Sequence, residues 1–500
     1  MIEVSTQSRI ITTAVFIVYL LFLVGIGIYA NRAMKASKEG FAVKFFAGNR
    51  DMGPIVVGLM MGATMCSAGT FVSGPGLGYK QGLIWVTVVL SSAFMNFYVL
   101  GTAGKKIGIM SRRIGAVSYT HLLRSRYNNN KFIGLVVPVL TIVFFSAYIV
   151  SQFIGGARLM EAMTGMSYFL SLFLFAVVVL IYTVFGGMKG VSLTIVLQGF
   201  LMTLSCFLLM GGVLGRINTE IGGLEAAFKM LAEVEPSIIS PNTYSIPMTL
   251  SFFVMYGIVT VGWPHTVQGA ITYKDTKSLH GAIISGIIVV AIWQGVMTMM
   301  GPFARILNPE LAVADHATQY LSLTTLNPFF SGIIMAGAAS AIQSTIAGML
   351  IIVSSNIVKE LYIEYINPKS NDKKQQKITV ISTIILIAVI FLFSLNPPDF
   401  LQLLITFALG GLGATFYASM FFGLYWKRAN EYGAIASLIG GFVYYFISSI
   451  VIKSLAFGMQ PIVMSSLVST ILLVAVSLAT PKTPKNVIQL WFGKVENKIY

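Results

Sequence analysis

Long apolar stretches separated by short polar ones run along nearly the whole chain of 500 residues. A helix needs about 20 mostly apolar residues to cross a hydrocarbon core roughly 30 Å thick. That length predicts about thirteen spans: 10–30, 54–78, 82–103, 132–154, 166–186, 190–215, 246–270, 280–303, 328–357, 378–395, 400–425, 432–452 and 460–480. The first is too long for a signal-peptide core, and its positive cluster (Arg32, Lys35, Lys38) follows it instead of preceding it. The expectation is an all-α integral membrane protein, one domain over 1–500, lodged in a lipid bilayer.

Composition agrees, with 56% hydrophobic and 10% charged residues, too little charge to cover a water-facing surface. The 33 Lys+Arg against 17 Asp+Glu would on a soluble chain suggest nucleic acid. Their placement argues otherwise. Taken loop by loop, 26 of the 33 lie in one alternate set of loops, the asymmetry that marks cytoplasmic loops. The N-terminus is then outside and the C-terminus cytoplasmic, and nucleic acid is no partner. The acidic residues fall in loops or at span edges, and the four histidines (121, 265, 280, 316) have no ligand spacing. No cofactor is implied.

Without a carboxylate pair, metal cluster or Ser/His/Asp set at membrane depth, an intramembrane enzyme has little to work with. Thirteen spans in one chain suit a channel poorly, so the layout points to a transporter with a central site and interrupted helices. Two spans look interrupted. GATMCSAGTFVSGPG (62–76) gathers small and hydroxylated residues mid-membrane and ends in Gly-Pro-Gly; YGIVTVGWPHTVQG (256–269) breaks at Gly262-Trp263-Pro264-His265. Each alone also fits a proline kink packed through small residues, and His265 alone also fits a packing role. They stand five spans apart in opposite orientation, the plan of an inverted-repeat transporter, with core repeats at about 54–215 and 246–425. In the ninth span, ASAIQSTIAGM (339–349), Ser344 and Thr345 are adjacent hydroxyls with Ala341 one turn earlier. They fit either back-bonding within the helix or, with carbonyls, replacing the water around a Na⁺.

The stretches SAGTFVSGPGLGYKQGLIW (67–85), VSQFIGGARLME (150–161), YTVFGGMKG with LQG after it (182–199), GWPHTVQGAITYKDTK (262–277) and FGLYWKRANEYGA (422–434) resemble the sodium:solute symporters, and among them most the sodium/pantothenate branch. The resemblance covers roughly residues 10–480. It implies a LeuT-like fold of five plus five inverted helices and a sodium site built from the carbonyls of Ala63, Cys66 and Ala341 and the hydroxyls of Ser344 and Thr345. It places the solute beside Ser67, Thr70, Asn96, Gln152, Trp263 and His265. The chain departs from many relatives at Met65 and Ile195, where they carry Asp, and at Gly269, where they carry Arg.

The expected activity is uptake of Na⁺ with a small organic carboxylate, pantothenate foremost. Another monocarboxylate or small metabolite, or a transporter-like solute sensor, remain the alternatives; a 20-residue C-terminal tail leaves little room for a sensor's output domain.

Overall fold

The computed structural model describes residues 5–36, 53–240, 242–398 and 401–493. Among them, regular structure is helical. Helix α1 (Thr6–Ala36) precedes the first interrupted segment, which comprises α2 (Pro54–Met65), a bend at Cys66 and Ser67, a wide-turned stretch Gly69–Ser73, and α3 (Gly74–Gln81). Helix α4 (Leu83–Val99) and the short α5 (Lys105–Arg113) and α6 (Tyr119–Arg126) lead to α7 (Lys131–Thr164) and α8 (Tyr168–Glu220). The second interrupted segment comprises α9 (Ile246–Tyr256), a tight turn Ile258–Gly262 and α10 (Pro264–Thr272). After it come α11 (Thr276–Leu307), α12 (Ala317–Thr325), α13 (Pro328–Ser355), α14 (Asp372–Phe393), α15 (Leu401–Tyr425), α16 (Glu431–Phe446), α17 (Pro461–Ala479) and α18 (Lys485–Phe492).

Nine helices among the described residues are long and apolar enough to cross a membrane, ten with the bent pair α9–α10. The difference from thirteen has physical causes. The expected span 54–78 is divided into pieces of 12 and 8 residues. The spans expected at 166–186 and 190–215 form one run of helical backbone, α8, so the expected loop at 187–189 is helical. At 1.5 Å per residue its 53 residues measure about 80 Å, and one span, Thr194–Glu220, is found within it.

Helix α13, which carries Ser344 and Thr345, sits at the centre. The apolar window of α13 and its continuation to Ile366 is 100% buried, against 22% for α1 at the edge. Asn327 caps α13 by accepting the Phe330 N–H, and Pro328 occupies the first turn, where its missing donor costs nothing. Helix α13 packs on α1, α2, α7 and α8. In a bilayer such association rests on close packing of small residues, since lipid is as apolar as leucine. A Cβ on Gly337 would fall 2.0 Å from Ser205 Oγ of α8, so the glycine sets how near the two helices lie.

Candidate functional site

The first break lies earlier than Gly-Pro-Gly suggested. Cys66 is the first non-helical residue (φ −96°, ψ 107°), while Pro75 sits within the first turn of α3. Pro75 offers no N–H to the carbonyl four residues back, that of Phe71. The Thr318 hydroxyl of α12 donates to it instead, at 2.7 Å.

The extended turn at Cys66 removes the backbone donor that a continuous helix would give Ala63. Thr345 of α13 takes that place: its hydroxyl lies 2.9 Å from the Ala63 carbonyl and 2.9 Å from that of Ala341. The Ser344 hydroxyl donates to the same Ala341 carbonyl at 3.1 Å. Four of the five expected sodium ligands thus form one cluster across two helices. All are buried to 1% exposure or less. Cys66, the fifth, is buried at the turn itself. These are hard, uncharged oxygens at a dry junction, a donor set suited to a monovalent cation. No group of three or more His, Cys, Asp or Glu side chains suited to a metal is found among the described residues.

The solute candidates separate into two groups. At the first break, the Gln152 side-chain oxygen accepts the Ala68 N–H at 2.9 Å. Ser67 Oγ accepts from the Gly69 N–H and the Tyr148 hydroxyl, each at 3.1 Å. Thr70 is buried one turn on. The approach of α7 is close, since a Cβ on Gly155 would lie 2.7 Å from the Ala68 methyl.

At the second break the chain bends by 50°. Trp263 is extended (φ −90°, ψ 117°), its indole N–H donates to the Leu409 carbonyl at 2.9 Å, and its ring stacks on His265 at 5.5 Å. Both are buried, and His265 Nδ1 has no hydrogen-bond partner. Thr266 Oγ1 lies 2.7 Å from the Thr260 carbonyl and 2.8 Å from that of Trp263, closing the break from within. Asn96 lies on α4, and its side chain is outside the described ones.

One face of α7 connects the two groups. Phe145 packs against His265 at 5.6 Å, Tyr148 bonds Ser67, and Gln152 holds Ala68. The spacings of three and four place all three residues along one side of the helix. The sequence reading missed Phe145 and Tyr148, although their register with Gln152 was the available signal. It also missed Gln402 of α15. That side chain donates to the Tyr256 hydroxyl at 2.7 Å and accepts from the Ser73 hydroxyl at 3.4 Å, linking the two segments directly. Gln402 lines a cavity of about 480 Å³, with Lys80, Tyr244, Phe252 and Gln460 at its walls. None of the five described solute candidates (Ser67, Thr70, Gln152, Trp263, His265) lines it.

Comparison with known proteins adds to this geometry. Residues 45–441 match the sequence model described as "Sodium:solute symporter family". A sodium/pantothenate symporter of Haemophilus influenzae is 37% identical over 85% of this chain and 87% of its own length. One of Escherichia coli is 36% identical over 91% and 93% respectively. The solved structure of a Na⁺-coupled sialic acid symporter, substrate-bound and outward-open, overlays with a TM-score of 0.79 over 95% of this chain and 99% of its own, at 18% identity. At that identity the likeness concerns the fold.

Proposed function

The chain belongs to the sodium:solute symporter family, and from that premise we propose that it carries pantothenate into the cell together with Na⁺. It is a multi-pass membrane transporter of LeuT-like fold, with Na⁺ as its coupling ion and no enzyme activity implied. The observation that carries the solute assignment is the identity of 36–37% with sodium/pantothenate symporters over most of both chains.

In the mechanism we infer, Na⁺ enters among the carbonyls of Ala63, Cys66 and Ala341 and the hydroxyls of Ser344 and Thr345. It joins α2 to α13, and that junction favours the form able to take solute. The solute lies between the two breaks, against Ser67, Thr70, Asn96, Gln152, Trp263 and His265. The N-terminal dipole of α10 and nearby hydroxyls stabilise its carboxylate, because no Lys or Arg stands at either break. Both ligands then close the outer side, and Na⁺ leaves into the low-sodium cytoplasm. The cavity at Lys80 and Gln402 supports an approach from the outer side. The full arrangement is thirteen spans in one bilayer-embedded domain, N-terminus outside and C-terminus inside, with no nucleic-acid partner.

Labelled pantothenate uptake into proteoliposomes, with and without an inward Na⁺ gradient, tests this reading. Uptake is expected only with the gradient and is lost in Ser344→Ala/Thr345→Ala. Uptake indifferent to Na⁺ overturns it. One Na⁺ with one monovalent anion moves no net charge. The membrane potential, worth about 2.3 kcal/mol per charge per 100 mV, should therefore leave the initial rate unchanged.

A further inference from the structure

At the end of the molecule where α5, α6, α18 and the turn after α15 meet, we propose a binding site for the phosphate of an anionic phospholipid headgroup. Three cations surround one ring. Lys106 Nζ lies 4.2 Å from the centre of Phe492, the Arg126 guanidinium carbon 5.3 Å and Lys427 Nζ 5.9 Å. The ion pairs among the described residues all lie elsewhere. An aromatic face attracts cations, but it does not neutralise them.

Arg126 is the fixed base of the cluster. It is 1% exposed and gives its Nε and Nη2 protons to the carbonyls of Gly423 and Trp426, at 2.6 and 2.9 Å. Its Nη1 is buried without a partner. Lys106, half-buried, donates to the Leu424 carbonyl, and Lys427 is exposed. Burial, with Arg126 and Lys427 nearby, holds the Lys106 ammonium below its ordinary value, the direction expected of a cation lacking a counter-charge.

The position selects the kind of anion. Apolar α15 ends at Tyr425, which is 45% exposed and whose ring centre lies 5.3 Å from Lys106 Nζ; Trp426 follows directly. Amphipathic aromatic rings at the end of an apolar helix mark the headgroup level of a bilayer. Basic pockets between membrane helices on the cytoplasmic side are where acidic headgroups bind, and these loops belong to the basic set that the sequence assigns to the cytoplasm. A free phosphate ion carries the same chemistry without any preference for that level.

The test is thermal unfolding of the purified full-length protein in detergent, with added phosphatidylglycerol, phosphatidylcholine or inorganic phosphate. Phosphatidylglycerol should raise the midpoint by several degrees and phosphatidylcholine by less. Lys106→Gln/Lys427→Gln should lose more than half of that rise, while the charge-matched control Lys369→Gln/Lys373→Gln keeps it. A rise confined to lipid assigns the site to a headgroup. An equal rise with inorganic phosphate supports the phosphate chemistry and overturns the headgroup assignment. Equal rises in wild type and both variants overturn the site. Should the double variant fold poorly, Lys427→Gln alone, an exposed side chain, is compared by native mass spectrometry: fewer retained phosphatidylglycerol molecules support the site and an unchanged number overturns it.

Discussion

The two breaks solve one problem in different ways. At the first, the groups freed by unwinding are met by other helices: Gln152 of α7 takes the Ala68 N–H, Thr345 of α13 meets the Ala63 carbonyl, and Thr318 of α12 meets that of Phe71. At the second, the segment supplies its own partners, with Thr266 facing the carbonyls of Thr260 and Trp263, and Thr260 that of Gly257. Unpaired backbone groups are costly at membrane depth, and each break meets some of its freed groups in its own way. Their consequences differ. A break held from outside couples its helix to its neighbours, and its carbonyls face hydroxyls that a cation can join. A self-closed break is free to present side chains, here the stacked Trp263 and His265. On the proposed reading the first break holds the ion and one side of the solute, and the second touches the solute alone.

Substitutions can break that division. The largest effect is expected from Ser344→Ala/Thr345→Ala, which removes two oxygens of the proposed sodium site. At about 1.5–3 kcal/mol per bond to a charged group, the Na⁺ concentration for half-maximal uptake should rise about a hundredfold or more, with the fold kept by circular dichroism. Next comes Gln152→Leu, which strands the buried Ala68 N–H. A loss of about 1–3 kcal/mol of stability should appear as a lower thermal midpoint, with both Na⁺ and solute dependence disturbed. Thr266→Val should cost about 1 kcal/mol and shift the KM for pantothenate while leaving the Na⁺ dependence intact. If Thr266→Val moved the Na⁺ dependence as much as Gln152→Leu does, the division would fail.

The smallest effect concerns pH. His316 precedes α12, the helix that meets the first break, and burial with Arg158 nearby lowers its pKa from 6.5 to about 4. Between those values the unfolded chain takes up a proton that the folded one refuses, so stability should fall as pH drops through that window. His316→Gln should flatten this slope in a thermal-unfolding series from pH 7 to 4. Asp315, whose pKa burial raises, acts in the opposite direction, so the variant rather than the wild-type profile isolates the histidine.

Much of the fold was legible because apolar length and charge asymmetry are one-dimensional signals, written continuously along the chain. The hydroxyl pair Ser344–Thr345 was legible for a related reason: two adjacent polar side chains contrast with an apolar helix. Ala63 and Cys66, proposed to act through their carbonyls, were not, since a carbonyl leaves no mark on residue type; only the resemblance pointed to them. The position of the first break was misread because proline and glycine usually punctuate helices, whereas Pro75 here starts one. Gln402 and Tyr256 were invisible for another reason. Each is a single polar residue in its own segment, and 146 positions separate them, so only the fold makes them partners.

The Thr345 hydroxyl has one proton and two carbonyls at equal distance, both 2.9 Å away. That proton joins α2 to α13, two helices that also pack against each other. A carrier must complete its cycle by returning empty, and a junction that fell open without its ion would stall there. In the proposed sodium site the hydroxyl serves as a placeholder that Na⁺ displaces and that keeps the two helices in register during the return. Thr345→Ser retains the placeholder and Thr345→Ala does not. Net uptake, which needs the empty return, should therefore separate the two variants more sharply than exchange of internal for external solute, which does not.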